Sequence, residues 1–267
     1  MRLTAGRFQI DMHPELGARL SSLREGQGRD WLWRRDEAGD RSAANPGCAF
    51  IDVGGAEECF PTIDGRWDHG DAWNRRWRED GDWLVVETEE AVLRRRLTSA
   101  GDGVALDYRV DGEPGYSFIW AFHALLTPEI GTRVVAPAGH RAIAWPGDEY
   151  PVETSWPKPL DVENYATLGP DDGSALFVVL PDLEELTVQQ DGRRLILRLE
   201  VDEQPHGFAV WRNLGGYPWE APPEERIRNF GIEPMVGIGL DRDRARPDEL
   251  ARIGSSGSLT WRLTLHP

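Results

Sequence analysis

The sequence predicts an all-β protein, a large antiparallel β-sandwich (a supersandwich) with few short helices. Three observations predict it: apolar and polar residues alternate with period two along most of the chain, helical periodicity is scarce, and short runs are separated by Gly, Pro and Asp turns without the strand–helix rhythm of a parallel sheet. Val104, Leu106, Tyr108 and Val110 alternate with Ala105, Asp107 and Arg109. Leu195, Leu197, Leu199 and Val201 repeat the pattern, as do Leu259, Trp261, Leu263 and Leu265. Residues 84–97 read as two strands meeting at a turn near Glu89 and Glu90. The best helix candidate is RPDELARIG, residues 246–254, with Asp248 as its cap and Gly254 as its stop.

With 267 residues, 40% of them hydrophobic and 28% charged, the chain can bury one sizeable core, and residues 1–267 are expected to form a single domain. The formal net charge is -16, from 46 acidic and 30 basic side chains, so the overall field repels phosphate backbones and anionic membrane surfaces. No nucleic-acid or membrane partner is expected. Lys158 is the only lysine, and the arginine bias carries no functional reading. Cys48 and Cys59 form no CxxC or zinc-type pattern, so two reduced thiols are expected. Neither a secretory leader nor an apolar run of the ~20 residues a membrane span needs is visible, and a cytoplasmic location follows as the expectation.

The densest loop chemistry lies in residues 54–82, 145–173 and 213–229. Gly54 to Trp77 packs carboxylates, His69, arginines and tryptophans together, a mixture suited to a sugar, whose C–H faces stack on aromatic rings while charged groups bond its hydroxyls. The same composition also describes an ordered surface loop whose tryptophans cover the sandwich. In FIWAFHALL, Ile119, Ala121 and His123 share one strand face while Phe118, Trp120 and Phe122 take the other. By itself His123 reads as a hydrogen-bonded histidine of an apolar strand. Glu233, in NFGIEPMVG, is held extended by Pro234, and burial among Phe230, Ile232 and Met235 would raise its pKa toward that of a proton-transfer base. A glutamate paired with an arginine would look the same. Nucleotide-binding, serine-hydrolase and zincin motifs are missing.

Taken in order, GARLSSL (Gly17 to Leu23), GGAEECFPTI (Gly54 to Ile63), DHG (Asp68 to Gly70), WAFHALL (Trp120 to Leu126), GIEPMVG (Gly231 to Gly237) and the closing SLTWRLTL (Ser258 to Leu265) resemble the galactose-mutarotase-like superfamily, which includes aldose 1-epimerases and hexose-6-phosphate mutarotases. The resemblance spans nearly the whole chain. It implies a cleft on one sheet in which His69, His123 and Glu233 surround the reducing end of a hexose. Glu233 would take the C1 hydroxyl proton, His123 would protonate the ring oxygen, and His69 would support the developing charge. No metal and no organic cofactor is implied. Asp68, Trp73, Arg75, Arg76 and Trp77 are the expected sugar contacts, with Arg66, Arg75, Arg76 and Arg78 as the phosphate ligands if the sugar is phosphorylated. The arginine of the family's GRxxNR-type motif has no counterpart, and no residue clearly matches its hydroxyl-binding aspartate, so the resemblance leaves the sugar open. Two other functions fit the same residues: a non-catalytic carbohydrate-binding protein, and a glycoside-cleaving enzyme pairing Glu233 with Glu57 or Glu58.

Overall fold

Period-two alternation resolves into two antiparallel sheets stacked face to face. The computed structural model describes residues 1–35, 54–65, 68–146, 150–218 and 221–267. Among them, the larger sheet has ten strands, in the order Arg2–Ala5, Phe8–His13, Arg19–Glu25, Ala56–Cys59, Trp120–Leu126, Ile227–Val236, His206–Tyr217, Ala175–Pro181, Arg141–Trp145 and Val152–Ser155. The smaller sheet has eight: Arg133–Val135, Glu185–Gln190, Arg193–Val201, Ser258–His266, Gly103–Gly112, Ala91–Ala100, Trp83–Glu87 and Arg78–Asp80. The alternating runs at 104–110, 195–201 and 259–265 are strands of this smaller sheet, and residues 84–97 do form two strands around a turn.

Residues 246–254 are not a helix. Pro247 opens a turn closed by the Glu249 carboxylate, which accepts from the Arg246 backbone N–H at 2.8 Å. Ala251 and Arg252 then pair with Phe118 and Ser117 as a short ribbon. Long-range pairing has overridden a helical pattern too short to nucleate alone. The helices present are single 3-10 turns such as Pro14–Leu16, and none is long and apolar enough to cross a membrane.

The core between the sheets takes every second residue of each strand. Val104, Leu106, Tyr108 and Val110 point inward from one sheet, and Trp120 and Phe122 from the other, joined by Phe118 of the short ribbon, all at most 2% exposed. The opposite face of the large sheet carries a second, smaller apolar patch that includes Cys59, Ala121, Val179, Ala209 and Met235. Cys59 is a buried free thiol. Cys48 lies outside the described residues.

One ion pair crosses the core. Glu58 accepts from Arg95 Nη1 at 2.5 Å, Trp120 Nε1 at 2.7 Å and the Tyr108 hydroxyl at 2.9 Å. Arg95 also donates to the Ala18 carbonyl at 2.5 Å, and its guanidinium lies 5.4 Å from the Trp77 ring centre. Both charged side chains are fully buried. Burial pushes the Glu58 pKa up, against the pull of Arg95 and the Trp120 and Tyr108 hydrogen bonds. Glu58→Ala should therefore cost about 3–5 kcal/mol in urea unfolding, because it strands Arg95 in the core. Replacing both residues by apolar ones of similar volume should recover most of that loss.

Candidate active site

On the Ala56–Cys59 strand, successive residues face opposite ways, so Glu58 enters the core and Glu57 emerges on the outer face of the large sheet. His123 on the next strand is paired directly with Glu57. The strand beyond pairs Ala121 with Met235 and Ala124 with Ile232, a register that sets His123 opposite Glu233. Glu57, His123 and Glu233 thus form one row across three neighbouring strands.

His69 joins the row from a loop. Its backbone is left-handed, with φ at 60°, a conformation that costs a non-glycine residue about 1 kcal/mol. Hydrogen bonds on either side hold it: the His69 N–H donates to Ile63 O at 2.7 Å and its carbonyl accepts from the Phe60 N–H at 3.3 Å. Gly70 follows at φ 71°, where a Cβ would lie 2.0 Å from Phe60 O, so only glycine fits. The turn carries the His69 ring to within 4.5 Å of the His123 ring, centre to centre.

The site is tightly coupled. His69 Nδ1 lies 3.2 Å from Glu57 Oε1, and His123 Nε2 lies 3.5 Å from Glu233 Oε1. The imidazoles retain 11% and 14% side-chain exposure, whereas Glu233 retains 1%. Among the described residues neither Glu233 oxygen has a hydrogen-bond partner. Burial lifts the Glu233 pKa to about 8, with the nearby Glu57 adding to the rise and His69 opposing it. For His69, burial is the largest influence and pulls the pKa down, but the Glu57 hydrogen bond and the charges of Asp68, Glu57 and Glu233 outweigh it, and the net shift is upward. A His69 whose cationic form is favoured thus stands beside a carboxyl whose neutral form is favoured.

Glu57, His69 and His123 each place one ligand atom within 4.8 Å of the others, a spacing that could hold a cation. The Glu57–His69 hydrogen bond accounts for the proximity of those two without one.

No protein-family model matches the sequence, and neither does any curated protein. Solved structures do match in shape. A candidate aldose 1-epimerase from Escherichia coli K12 superimposes with a TM-score of 0.69 at 16% identity, over 99% of this chain and 97% of that one. A galactose mutarotase related enzyme from Lactobacillus acidophilus gives 0.64 at 14% identity, over 100% and 97%. A candidate aldose 1-epimerase from Klebsiella pneumoniae gives 0.66 at 14%, over 97% and 76%. The fold is that of the galactose-mutarotase-like proteins.

Within this mutarotase-like fold, His69, His123 and Glu233 converge on one face of the large sheet, as the sequence motifs led us to expect. Several other expected contacts do not join them. Trp73 and Trp77 are 0% and 2% exposed and offer no ring face to a ligand. Their segment is pinned to the turn at Pro14–Gly17, through Trp77 N–H to Pro14 O at 2.8 Å and Gly17 N–H to Arg75 O at 2.9 Å. Trp77 is thereby folded under Arg95. Arg75 is bound to Asp71 at 2.5 Å and lines a separate cavity of about 250 Å³, whose walls include Asp64, Asp71, Glu89, Glu90, Asp241 and Asp243. Arg76 and Arg78 are exposed, the latter within 3.5 Å of Asp80 and 3.6 Å of Glu87. Arg66 lies outside the described residues. Asp68 is half-buried beside His69 and acts on it through its charge.

The sequence offers Glu57 only as one member of a glycosidase acid–base pair with Glu233, yet in the structure it hydrogen-bonds His69 and raises its pKa. Its signal was present in the sequence: two adjacent glutamates on a strand must face opposite ways. Glu57→Gln should shift the His69 imidazole titration to lower pH, since a neutral amide no longer stabilises the cation. Histidine C–H resonances followed by NMR against pH would show it, and an unmoved midpoint would remove Glu57 from this role.

Proposed function

We propose that the protein is an aldose 1-epimerase that interconverts the anomers of a neutral sugar with a free reducing end. The observation that carries this reading is the Glu233 carboxyl, buried, without a hydrogen-bond partner among the described residues and 3.5 Å from His123. Buried polar atoms are nearly always paired, and a sugar hydroxyl would complete this one.

The chemistry follows from the pair. Glu233 as carboxylate accepts the proton of the C1 hydroxyl, the electrons of that O–H bond form the C1 carbonyl, and the bond from C1 to the ring oxygen breaks as His123 donates a proton to that oxygen. The open aldehyde rotates about C1–C2. Closure on the other face reverses both transfers, so Glu233 and His123 regain their starting states. The pair needs only one proton of its own. His69, whose cationic form Glu57 favours, stabilises negative charge on the oxygen as the bond breaks.

The arginines favour a neutral substrate over a phosphorylated one, since Arg75 is committed to Asp71 in an acidic cavity and Arg78 pairs with surface carboxylates. Glu58 cannot complete a glycosidase pair because it points between the sheets. Glu57 shares the face of Glu233 but stands beyond His123 on the same floor, so the two carboxyls do not oppose each other across a sugar ring.

Polarimetry of freshly dissolved α-glucose and α-galactose tests the reading. The protein should accelerate the approach to anomeric equilibrium, and Glu233→Gln should lower kcat by roughly 10²–10⁴-fold with a smaller change in sugar affinity. An inert wild type across the common aldoses would sink the epimerase reading in favour of a carbohydrate-binding protein.

The pH profile is a separate check. A base with its pKa near 8 is mostly protonated at pH 7, so kcat/KM should rise with pH and level off above about 8. Dialysis against EDTA should leave the rate unchanged, because every proton transfer is assigned to a side chain.

A further inference from the structure

A row of aromatic side chains crosses the face that holds Glu233. Trp145 is paired with Phe177, Phe177 with Trp211, and Trp211 with Gly231 on the strand of Glu233. Strand pairing puts directly opposed residues on the same face, so these rings lie on the side of His123 and Glu233, one pleat away from the catalytic row. Trp145, Phe177 and Trp211 are half-buried, and their ring centres are spaced at 6.0 and 6.5 Å, comparable to the length of one pyranose unit.

The rings are held in place. Trp211 Nε1 donates to Asn229 Oδ1 at 2.9 Å, and Tyr217 packs edge-on against Trp211 at 5.5 Å. Trp145 meets Phe177 edge-on, and both pack against the outer apolar patch while keeping part of their surface open. The row stops at Gly231. A Cβ there would lie 3.2 Å from Trp211 Cβ and 3.3 Å from Glu233 Oε1, so the missing side chain keeps the passage between Trp211 and the carboxyl clear.

We propose that Trp211 and Phe177, with Trp145 beyond them, form a second sugar subsite, and that the substrate is a reducing disaccharide or longer chain whose reducing-end ring sits at Glu233 and His123. The proposal rests on the reading of that site as sugar-binding and extends it to the substrate's class. A monosaccharide over Glu233 leaves the row uncovered, whereas the next ring of a disaccharide reaches it through the Gly231 gap. C–H-rich sugar faces stack on such rings, and rings already fixed lose little entropy on binding. The chain's net charge of -16 disfavours an acidic glycan.

Calorimetry with the intact protein separates this proposal from the epimerase reading. Lactose, maltose and cellobiose are compared with galactose and glucose as ligands, and the same sugars are followed by polarimetry. At least one disaccharide should bind roughly tenfold more tightly than either monosaccharide, the gain expected of one added aromatic contact. In Trp211→Ala the affinity ratio should fall to about one. Trp145→Ala, on a different strand, should reduce the ratio for a trisaccharide such as maltotriose and supplies a second measurement if Trp211→Ala fails to fold. Equal affinities for mono- and disaccharides in the wild type would overturn the subsite, even with normal mutarotation. Tight disaccharide binding without mutarotation would retain the subsite and overturn the epimerase. A dimer seated on this face, seen by sedimentation and abolished in Trp211→Ala, would also overturn the proposal.

Discussion

The buried contact between Glu58 and Arg95 sets the phase of the strand on which the site begins. Taking both charges out of water is costly, and the cost is offset only with Arg95, Trp120 and Tyr108 all bonded to the carboxylate. A slip of one residue would bring Glu57 into the core without those partners and turn Glu58 outward, and every other side chain on the strand would change face with it. Glu58 inward fixes Glu57 outward, Glu57 hydrogen-bonds His69 and raises its pKa, and its pairing with His123 places the next member of the row. The geometry of the candidate site is thus tied to an interaction on the opposite side of the sheet.

The electrostatics are as ordered as the geometry. Glu57 and Glu233 stand on one sheet face, each beside a histidine, but Glu57 lies within hydrogen-bond distance of its partner at 3.2 Å whereas Glu233 lies 3.5 Å from His123. Glu57 raises the His69 pKa through a hydrogen bond and its charge. Burial lifts the Glu233 pKa to about 8, the range in which the proposed proton transfer near neutral pH would need it. Perturbed carboxyls also arise in structural ion pairs, and Glu58 is one, yet Glu58 accepts three hydrogen bonds from core side chains whereas Glu233 accepts none among the described residues and has His123 at 3.5 Å.

Much of this was legible in the sequence, for identifiable reasons. Period-two alternation is local, so the strands at 84–97, 104–110, 195–201 and 259–265 could be read directly, and so could the division of Ile119, Ala121 and His123 from Phe118, Trp120 and Phe122. The meeting of His69, His123 and Glu233 was accessible only through motif order, because residues 69, 123 and 233 are joined by long-range strand pairing that no local pattern encodes. The same limit explains the misplaced aromatic contacts. Trp73 and Trp77 stand close to His69 in sequence but are buried, with Trp77 drawn under Arg95 and its segment pinned to the turn at Pro14–Gly17. Trp145, Phe177 and Trp211 are far apart in sequence and become neighbours only through register.

The strand bearing Glu233 shows what the sheet gives up for the site. Pro234 sits in the interior of the ten-stranded sheet, where proline is rare because it cannot donate to the ladder. The pairing with the His123 strand is interrupted between Ala121–Met235 and Ala124–Ile232, at the position where His123 faces Glu233. On the other side the register is continuous, with Phe208 opposite Pro234 and Ala209 opposite Glu233. The local loss is therefore carried by one intact neighbour. Gly231 adds a second weakness two residues earlier, since glycine in a strand interior forgoes packing and costs backbone entropy. Both residues work against the stability of a central strand, and both lie within two positions of the same carboxyl. A sheet selected only for stability would carry neither. Their placement on either side of Glu233 fits a strand shaped to hold a buried acid beside His123, with an open approach from the aromatic row.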